Sequence, residues 1–203
     1  METATKRDEK REAILAAASQ CFSRYGYEKT TLHDIGAAAR LNKASLYYYY
    51  RNKEDLFIQV VLREAERYLT ALQQQVAPLE RATAKILAYL TGRLDYYRQV
   101  LNLHQLTLEN LHRLEPLFDD VYRAVREREL EFLGELLQEG VQEREFLKLN
   151  AARTADALLT VADAVKHEAM QQARTHLASE VDYAPVQEKM SFTITLLLNG
   201  LRK

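Results

Sequence analysis

One cysteine, three prolines, six glycines and no tryptophan in 203 residues make this a chain defined first by scarcities, each of which excludes something. A lone thiol, Cys21, cannot close an internal disulfide, and its place beside Phe22 reads as a buried structural thiol rather than a redox sensor. So few prolines and glycines leave little to interrupt helices, and no segment alternates apolar and polar residues as a half-buried strand would. Charge of either sign is not in excess, with 28 Lys+Arg against 29 Asp+Glu, so overall charge recruits no partner. Neither a leader-like apolar stretch in METATKRDEKRE nor any run of membrane-spanning length is present, which gives a cytoplasmic, membrane-free protein as the expectation. A glycine-rich phosphate loop, a framed nucleophile elbow, an HExxH pair and a cysteine pair are all missing. A small-molecule or metal-binding helical-bundle enzyme, working with scattered carboxylates and histidines, is the alternative reading. No catalytic residue and no cofactor is expected.

Residues 31–53, TLHDIGAAARLNKASLYYYYRNK, carry the sharpest positive signal. Thr31 followed by Asp34 is a capping-box start, and Leu32, Ile35 and Ala39 share one helical face, so a short helix is predicted from about Leu32 to Ala39. Leu41-Asn42 forms the turn. A second helix, Lys43 to Tyr50, puts Leu46 and Tyr50 on one side and points Ala44, Ser45 and Tyr48 to the other. Between Ile35 and Lys53 there is no acidic residue, while Arg40, Lys43, Arg51 and Lys53 are basic. Residues 1–55 hold 10 Lys+Arg against 8 Asp+Glu and the remainder 18 against 21, so the attraction for phosphate is a local patch. Two short helices, a tight turn and a basic, tyrosine-rich outer face form a helix-turn-helix suited to double-stranded DNA.

These residues resemble the TetR family of bacterial transcriptional regulators. The first helical segment of that family is matched by REAILAAA at residues 11–18, Phe22 and Tyr25-Gly26-Tyr27. Its helix-turn-helix is matched by TLHDI at 31–35 and KASLYYYY at 43–50, and its fourth helix by KEDL at 53–56. The likeness covers roughly the first quarter of the chain. It implies phosphate contacts for Thr31 and Lys53 at two helix N-termini. It implies base-edge contacts for Lys43, Ala44, Ser45 and Tyr48, with Tyr47 and Tyr49 reaching the DNA backbone. Three positions depart from the family pattern: Arg40 stands where glycine is usual in the turn, Gly36 where alanine is common, and Tyr50 where phenylalanine closes the recognition helix. Arg40 in a left-handed conformation costs about 1–2 kcal/mol, and a helix-interior glycine about 1 kcal/mol relative to alanine.

The expected fold is all-α, with a three-helix lobe at 1–52 and a larger effector-binding and dimerisation lobe at 53–203, about nine helices in total. The first helix is predicted over Lys6–Tyr25 with Ile14, Ala18, Phe22 and Tyr25 inward, and the fourth from Lys53 to near Val76. A fifth spans Leu79–Val100, with Leu87, Leu90, Leu94, Tyr97 and Leu101 as its apolar stripe. A short sixth follows over His104–His112 and a seventh from Pro116 to Glu143, whose charged middle, Arg123–Gly134, reads as a solvated face. Leu158, Ala162, Val165 and Ala169, and then Met190, Ile194, Leu197 and Leu201, repeat at three and four. These stripes pack either within the chain or across a two-fold axis, and the resemblance favours a homodimer joined by a four-helix bundle.

The resemblance also implies a pocket for a small-molecule effector of unknown identity. Candidate linings are Tyr89, Arg93, Tyr96, His104, Leu108, Glu109, His112, Tyr122, Asp163, Lys166 and His167. Glu109 with His112 and Asp163 with His167 form a nitrogen–oxygen metal set only if their helices face each other; ordinary packed or exposed histidines are the simpler reading.

Overall fold

The computed structural model describes residues 4–202 apart from 174, 176, 178 and 179, and the side chains of 4, 5, 43, 101–103, 115 and 119–121 lie outside the described set. The described residues form eight α-helices: α1 (Ala4–Tyr25), α2 (Leu32–Ala38), α3 (Lys43–Tyr49), α4 (Lys53–Val76), α5 (Ala82–Leu103), α6 (Leu108–Gln142), α7 (Ala151–Gln172) and α8 (Ala184–Gly200). No strand occurs among them. Helices α1, α2 and α3 pack as a small lobe on the start of α4, and α4 continues into a bundle with α5, α6, α7 and α8.

Local chemistry sets these boundaries. The Thr31 hydroxyl accepts the Asp34 N–H at 3.2 Å, and the Asp34 carboxylate accepts the Thr31 N–H at 2.9 Å, which completes the capping box of α2. Asn42, Asn52, Thr107 and Asn150 cap α3, α4, α6 and α7 in the same way, each accepting the N–H three residues on. Such a cap contributes about 1 kcal/mol. Arg40 has φ +55°, the left-handed geometry expected of it. Its N–H bonds to the Ala37 carbonyl at 3.2 Å and that of Leu41 to the Gly36 carbonyl at 2.8 Å, the paired bonds of a Schellman stop.

Gly36 is required by this stop. A Cβ there would sit 3.0 Å from the Leu41 carbonyl oxygen and 3.1 Å from Leu46 Cδ1, so the turn and α3 close directly over it. The propensity cost of a glycine inside α2 is offset by that close approach.

The expected sixth and seventh helices are one. α6 runs unbroken through Pro116, whose missing N–H leaves the His112 carbonyl without its usual helical donor, but on a side where His112 is exposed to water. Tyr25, expected inward, is 45% exposed with Arg24 over its ring, while Ile14, Ala18 and Phe22 are buried as predicted. Cys21 is buried, and burial pushes its thiol pKa up, which suits a structural thiol. Within the α5 stripe Leu90 and Leu94 are buried, Leu87 and Tyr97 are half-buried, and the Leu101 side chain lies outside the described residues.

The stripes assigned to a dimer seam are mostly core of the single chain, which corrects that expectation. Leu158, Ala162, Val165, Met190 and Ile194 are buried where α7 and α8 pack on each other and on α5, so they have no surface left to offer a partner. Ala169 and Leu201 are half-buried, and only Leu197 is exposed. The physical reason is that an amphipathic stripe reports burial without saying whose surface does the burying.

Candidate nucleic-acid interface and interior cavity

Helix α3 is held by one side and open on the other. Leu46 and Tyr50 are buried in the lobe core, whereas Ala44 is exposed, Ser45 half-buried, Tyr47 48% exposed and Tyr48 66% exposed. This is the division expected from the spacing. Burial pushes the Tyr50 hydroxyl up to about 12, so it stays protonated. Tyr48 and Tyr49 meet edge to face at 5.1 Å, Tyr48 exposed and Tyr49 half-buried. The Lys43 side chain lies outside the described residues.

The two helix-terminal residues are more engaged than their sequence roles suggest. The Thr31 hydroxyl donates its proton to Asp34 at 2.6 Å, so a bond to phosphate requires that proton to be redirected. The Lys53 ammonium donates to the Tyr27 carbonyl at 3.0 Å and the Glu28 carbonyl at 3.3 Å and sits over the Tyr27 ring at 4.4 Å. Burial lowers the Lys53 pKa. One of its three donors is used by neither carbonyl. Arg7, which no sequence motif singles out, lies over the Tyr48 ring at 5.6 Å and brings the first turns of α1 to the same face.

The larger lobe holds a partly open cavity of about 200 Å³. Its walls are apolar: Phe57, Val61, Leu62, Ala65 and Leu69 from α4, Leu90 and Leu94 from α5, with Leu106, Leu111 and Phe118 beyond. Five of the sequence candidates line it: Arg93, Tyr96, Tyr122, Asp163 and Lys166. The other six do not, which corrects those assignments. Tyr89 is fully buried against Glu129, His104 and Leu108 are buried at the junction with the first lobe, and Glu109, His112 and His167 are exposed, His167 beside Gln171. Among the described residues no metal-ligand cluster occurs, so Glu109, His112, Asp163 and His167 are not gathered into one.

The polar end of the cavity is organised by a residue the sequence reading placed on a solvated face. Glu129 is 1% exposed. Arg93 Nε pairs with its Oε1 at 2.5 Å, Tyr89 donates to Oε1 at 3.1 Å and Tyr122 donates to Oε2 at 2.6 Å. Arg93 Nη2 also reaches the Tyr122 hydroxyl at 2.8 Å and Asp163 Oδ1 at 3.1 Å, while Arg126 Nη1 holds Asp163 Oδ2 at 3.2 Å. Burial pushes the Asp163 carboxyl up, but Arg93, Lys166 and Arg126 outweigh it and hold the group below the usual carboxylate range. The available signal was position: Glu129 falls with Val125, Leu133 and Leu136 on the inward face of α6, where a carboxylate needs partners.

A second buried polar link joins the lobes. His104 Nε2 lies 2.9 Å from Glu64 Oε2 on α4, and Glu64 Oε1 accepts the Ser19 hydroxyl of α1 at 2.6 Å. The His104 ring packs edge-on against Phe22 and Phe57, and its carbonyl accepts the Tyr27 N–H at 3.0 Å. Glu28, in the loop before α2, accepts the Asn110 amide of α6 at 2.6 Å.

Residues 14–60 match the family model described as "Bacterial regulatory proteins, tetR family". The HTH-type transcriptional repressor KstR2 of Mycolicibacterium smegmatis is 30% identical over 142 residues, covering 68% of this chain and 67% of that one. The chain belongs to the TetR family. The regulator RutR of Escherichia coli K12 is 32% identical over 114 residues, 55% of this chain and about half, 52%, of RutR. A transcriptional regulator from Cytophaga hutchinsonii of known crystal structure superposes with a TM-score of 0.78 at 26% identity, over 95% of this chain and 98% of that one. Like its TetR-family relatives the protein is a helix-turn-helix transcriptional regulator and not an enzyme. No helix among the described residues is long and apolar enough to cross a membrane.

Proposed function

We propose that the protein is a homodimeric, cytoplasmic repressor that binds a two-fold-related operator and leaves it when a small molecule fills the interior cavity. Residues 1–52 act as the DNA lobe and 53–203 as the effector and dimer lobe. The observation that carries this reading is the course of α4. Its first turn braces the DNA lobe through Lys53, and the same helix then supplies Phe57, Val61, Leu62, Ala65 and Leu69 to the cavity wall. A molecule entering the cavity pushes on α4 and, through the bond from Ser19 to Glu64, on α1. Ala44, Ser45 and Tyr48 face base edges together with Lys43; Tyr47, Tyr49, Thr31 and the unused Lys53 donor hold the backbone.

Exposed Phe192 and Leu196, four residues apart on α8 and beside Leu197, supply the two-fold seam in place of the buried stripe. Large apolar side chains on one exposed helical turn suit a self-complementary interface. Two copies of α3 then reach successive major-groove faces, with half-sites about one turn apart or somewhat more.

Fluorescence anisotropy with duplexes from the DNA flanking the protein's own gene tests this reading. One duplex is expected to bind far above the others, with affinity that falls as salt rises because counterions leave the phosphates. Equal binding to every duplex makes the protein an architectural binder instead.

A further inference from the structure

We infer that the molecule accepted by the cavity has an apolar body of roughly ten non-hydrogen atoms and ends in an oxygen that accepts hydrogen bonds from Arg93, a step that rests on reading the cavity as the effector site. The size follows from volume: a cavity of about 150 Å³ holds benzene, and this one is about 200 Å³. The body follows from the walls, which along α4 present only apolar side chains and along α5 add Leu90, Leu94 and Val100 with the rings of Tyr96 and Tyr97, the Tyr96 hydroxyl being spent on the Val61 carbonyl.

The head group follows from a count of donors and acceptors. Arg93 is nine-tenths buried and lines the cavity, with its side chain 10% exposed. Its Nε and Nη2 are spent on Glu129, Tyr122 and Asp163, but among the described residues no hydrogen bond uses Nη1. Nη1 is not among the sealed, unpartnered side-chain atoms of the described residues, and Arg93 itself lines the cavity. A guanidinium Nη carries two N–H groups. The acceptors nearby are already supplied. Glu129 takes Arg93, Tyr89 and Tyr122, and Asp163 takes Arg93 on one oxygen and Arg126 on the other. The polar end thus offers the unused N–H groups of Arg93 Nη1, while both oxygens of Asp163 are already held by guanidinium groups, and it favours a carbonyl or carboxylate oxygen over an amine. Its charges cancel as well: Arg93, Arg126 and Lys166 stand against Glu129, Asp163 and the more exposed Asp156, so a head group need carry no charge.

Calorimetric titration of the full chain without DNA tests this with four probes of one size: 4-phenyl-2-butanone, 3-phenylpropionate, 3-phenylpropylamine and butylbenzene. The ketone, the carboxylate or both are expected to bind at least ten-fold more tightly than the amine and the hydrocarbon. Ketone equal to carboxylate assigns a neutral carbonyl head, and carboxylate well ahead assigns an acid anion. In Arg93→Lys, which keeps a cation beside Glu129 but removes Nη1, the ten-fold gap closes while butylbenzene binding stays within two-fold. If that variant does not fold, the ranking by the unaltered protein decides alone. An amine as tight as the ketone, or a gap that survives Arg93→Lys, overturns the inference and leaves the effector cavity standing. Failure of all four probes to bind overturns both.

Discussion

Replacing Arg40 by glycine should make this protein more stable, although it deletes a charged side chain from an intact helix-turn-helix. The Arg40 backbone sits at φ +55°, where its Cβ crowds the following carbonyl. That crowding costs an L-residue about 1–2 kcal/mol, and glycine escapes it. Glycine also widens the unfolded ensemble, which takes back about 0.4–1 kcal/mol. The Schellman bonds at Ala37 and Gly36 use main-chain atoms only and survive the change. The balance is a gain of roughly 0.5–1 kcal/mol, or about 1–4 °C in melting temperature for a chain of this size. Arg40→Ala is the control: it removes the same charge but keeps the Cβ, so it should not stabilise. Thermal melts of the three proteins, in one buffer without DNA, decide the matter. A lowered midpoint for Arg40→Gly, or an equal rise for Arg40→Ala, refutes the assignment of strain to this turn.

Four further outcomes follow. Gly36→Ala should lower stability by about 1 kcal/mol in urea titrations, because its new Cβ meets the Leu41 carbonyl and Leu46, although alanine is the better helix former. Glu129→Leu should cost about 3–5 kcal/mol, since Arg93 is left buried without its main counter-charge, and Arg93→Met with Glu129→Leu should recover much of that. Asp163 and Glu64 have carboxyl pKa values lowered by the fold, so their contribution is complete above about pH 5, where both are ionised even unfolded, and is lost as pH falls through their folded values. Urea midpoints measured from pH 7 down to pH 3 should show that loss, reduced in Asp163→Asn. Phe192→Glu with Leu196→Glu should convert a dimer to a monomer in sedimentation velocity without changing the melting temperature of the single chain.

How far the sequence could be read depended on whether a signal was local. The α2–turn–α3 unit was legible because capping residues, a left-handed turn position and a basic outer face all act within a few residues of one another. The capping box at Thr31, the conformation of Arg40 and the open face of Tyr48 follow directly. Gly36 was misjudged as a cost because the Leu41 carbonyl closing over it is a tertiary contact. The charged run around Glu129 was read as solvated since local composition does not reveal which carboxylate falls on the inward face. The α7 and α8 stripes announced burial correctly, but one chain's core and two chains' seam have the same periodicity. Pro116 suggested a helix start, and a proline is tolerated inside α6 because the carbonyl it strands belongs to exposed His112. Of the eleven cavity candidates, the five that line it, Arg93, Tyr96, Tyr122, Asp163 and Lys166, were gathered by packing that no spacing rule encodes.

The most direct test of α3 as the DNA-reading helix is a hydroxyl-radical and dimethyl-sulfate footprint of the protein on the DNA flanking its own gene, repeated with Tyr48→Ala and Ser45→Ala. Two protected major-groove patches related by a two-fold axis, lost in the double variant while its melting temperature is unchanged, are the expected result. Undiminished protection by the double variant, or protection confined to the minor groove, would contradict it.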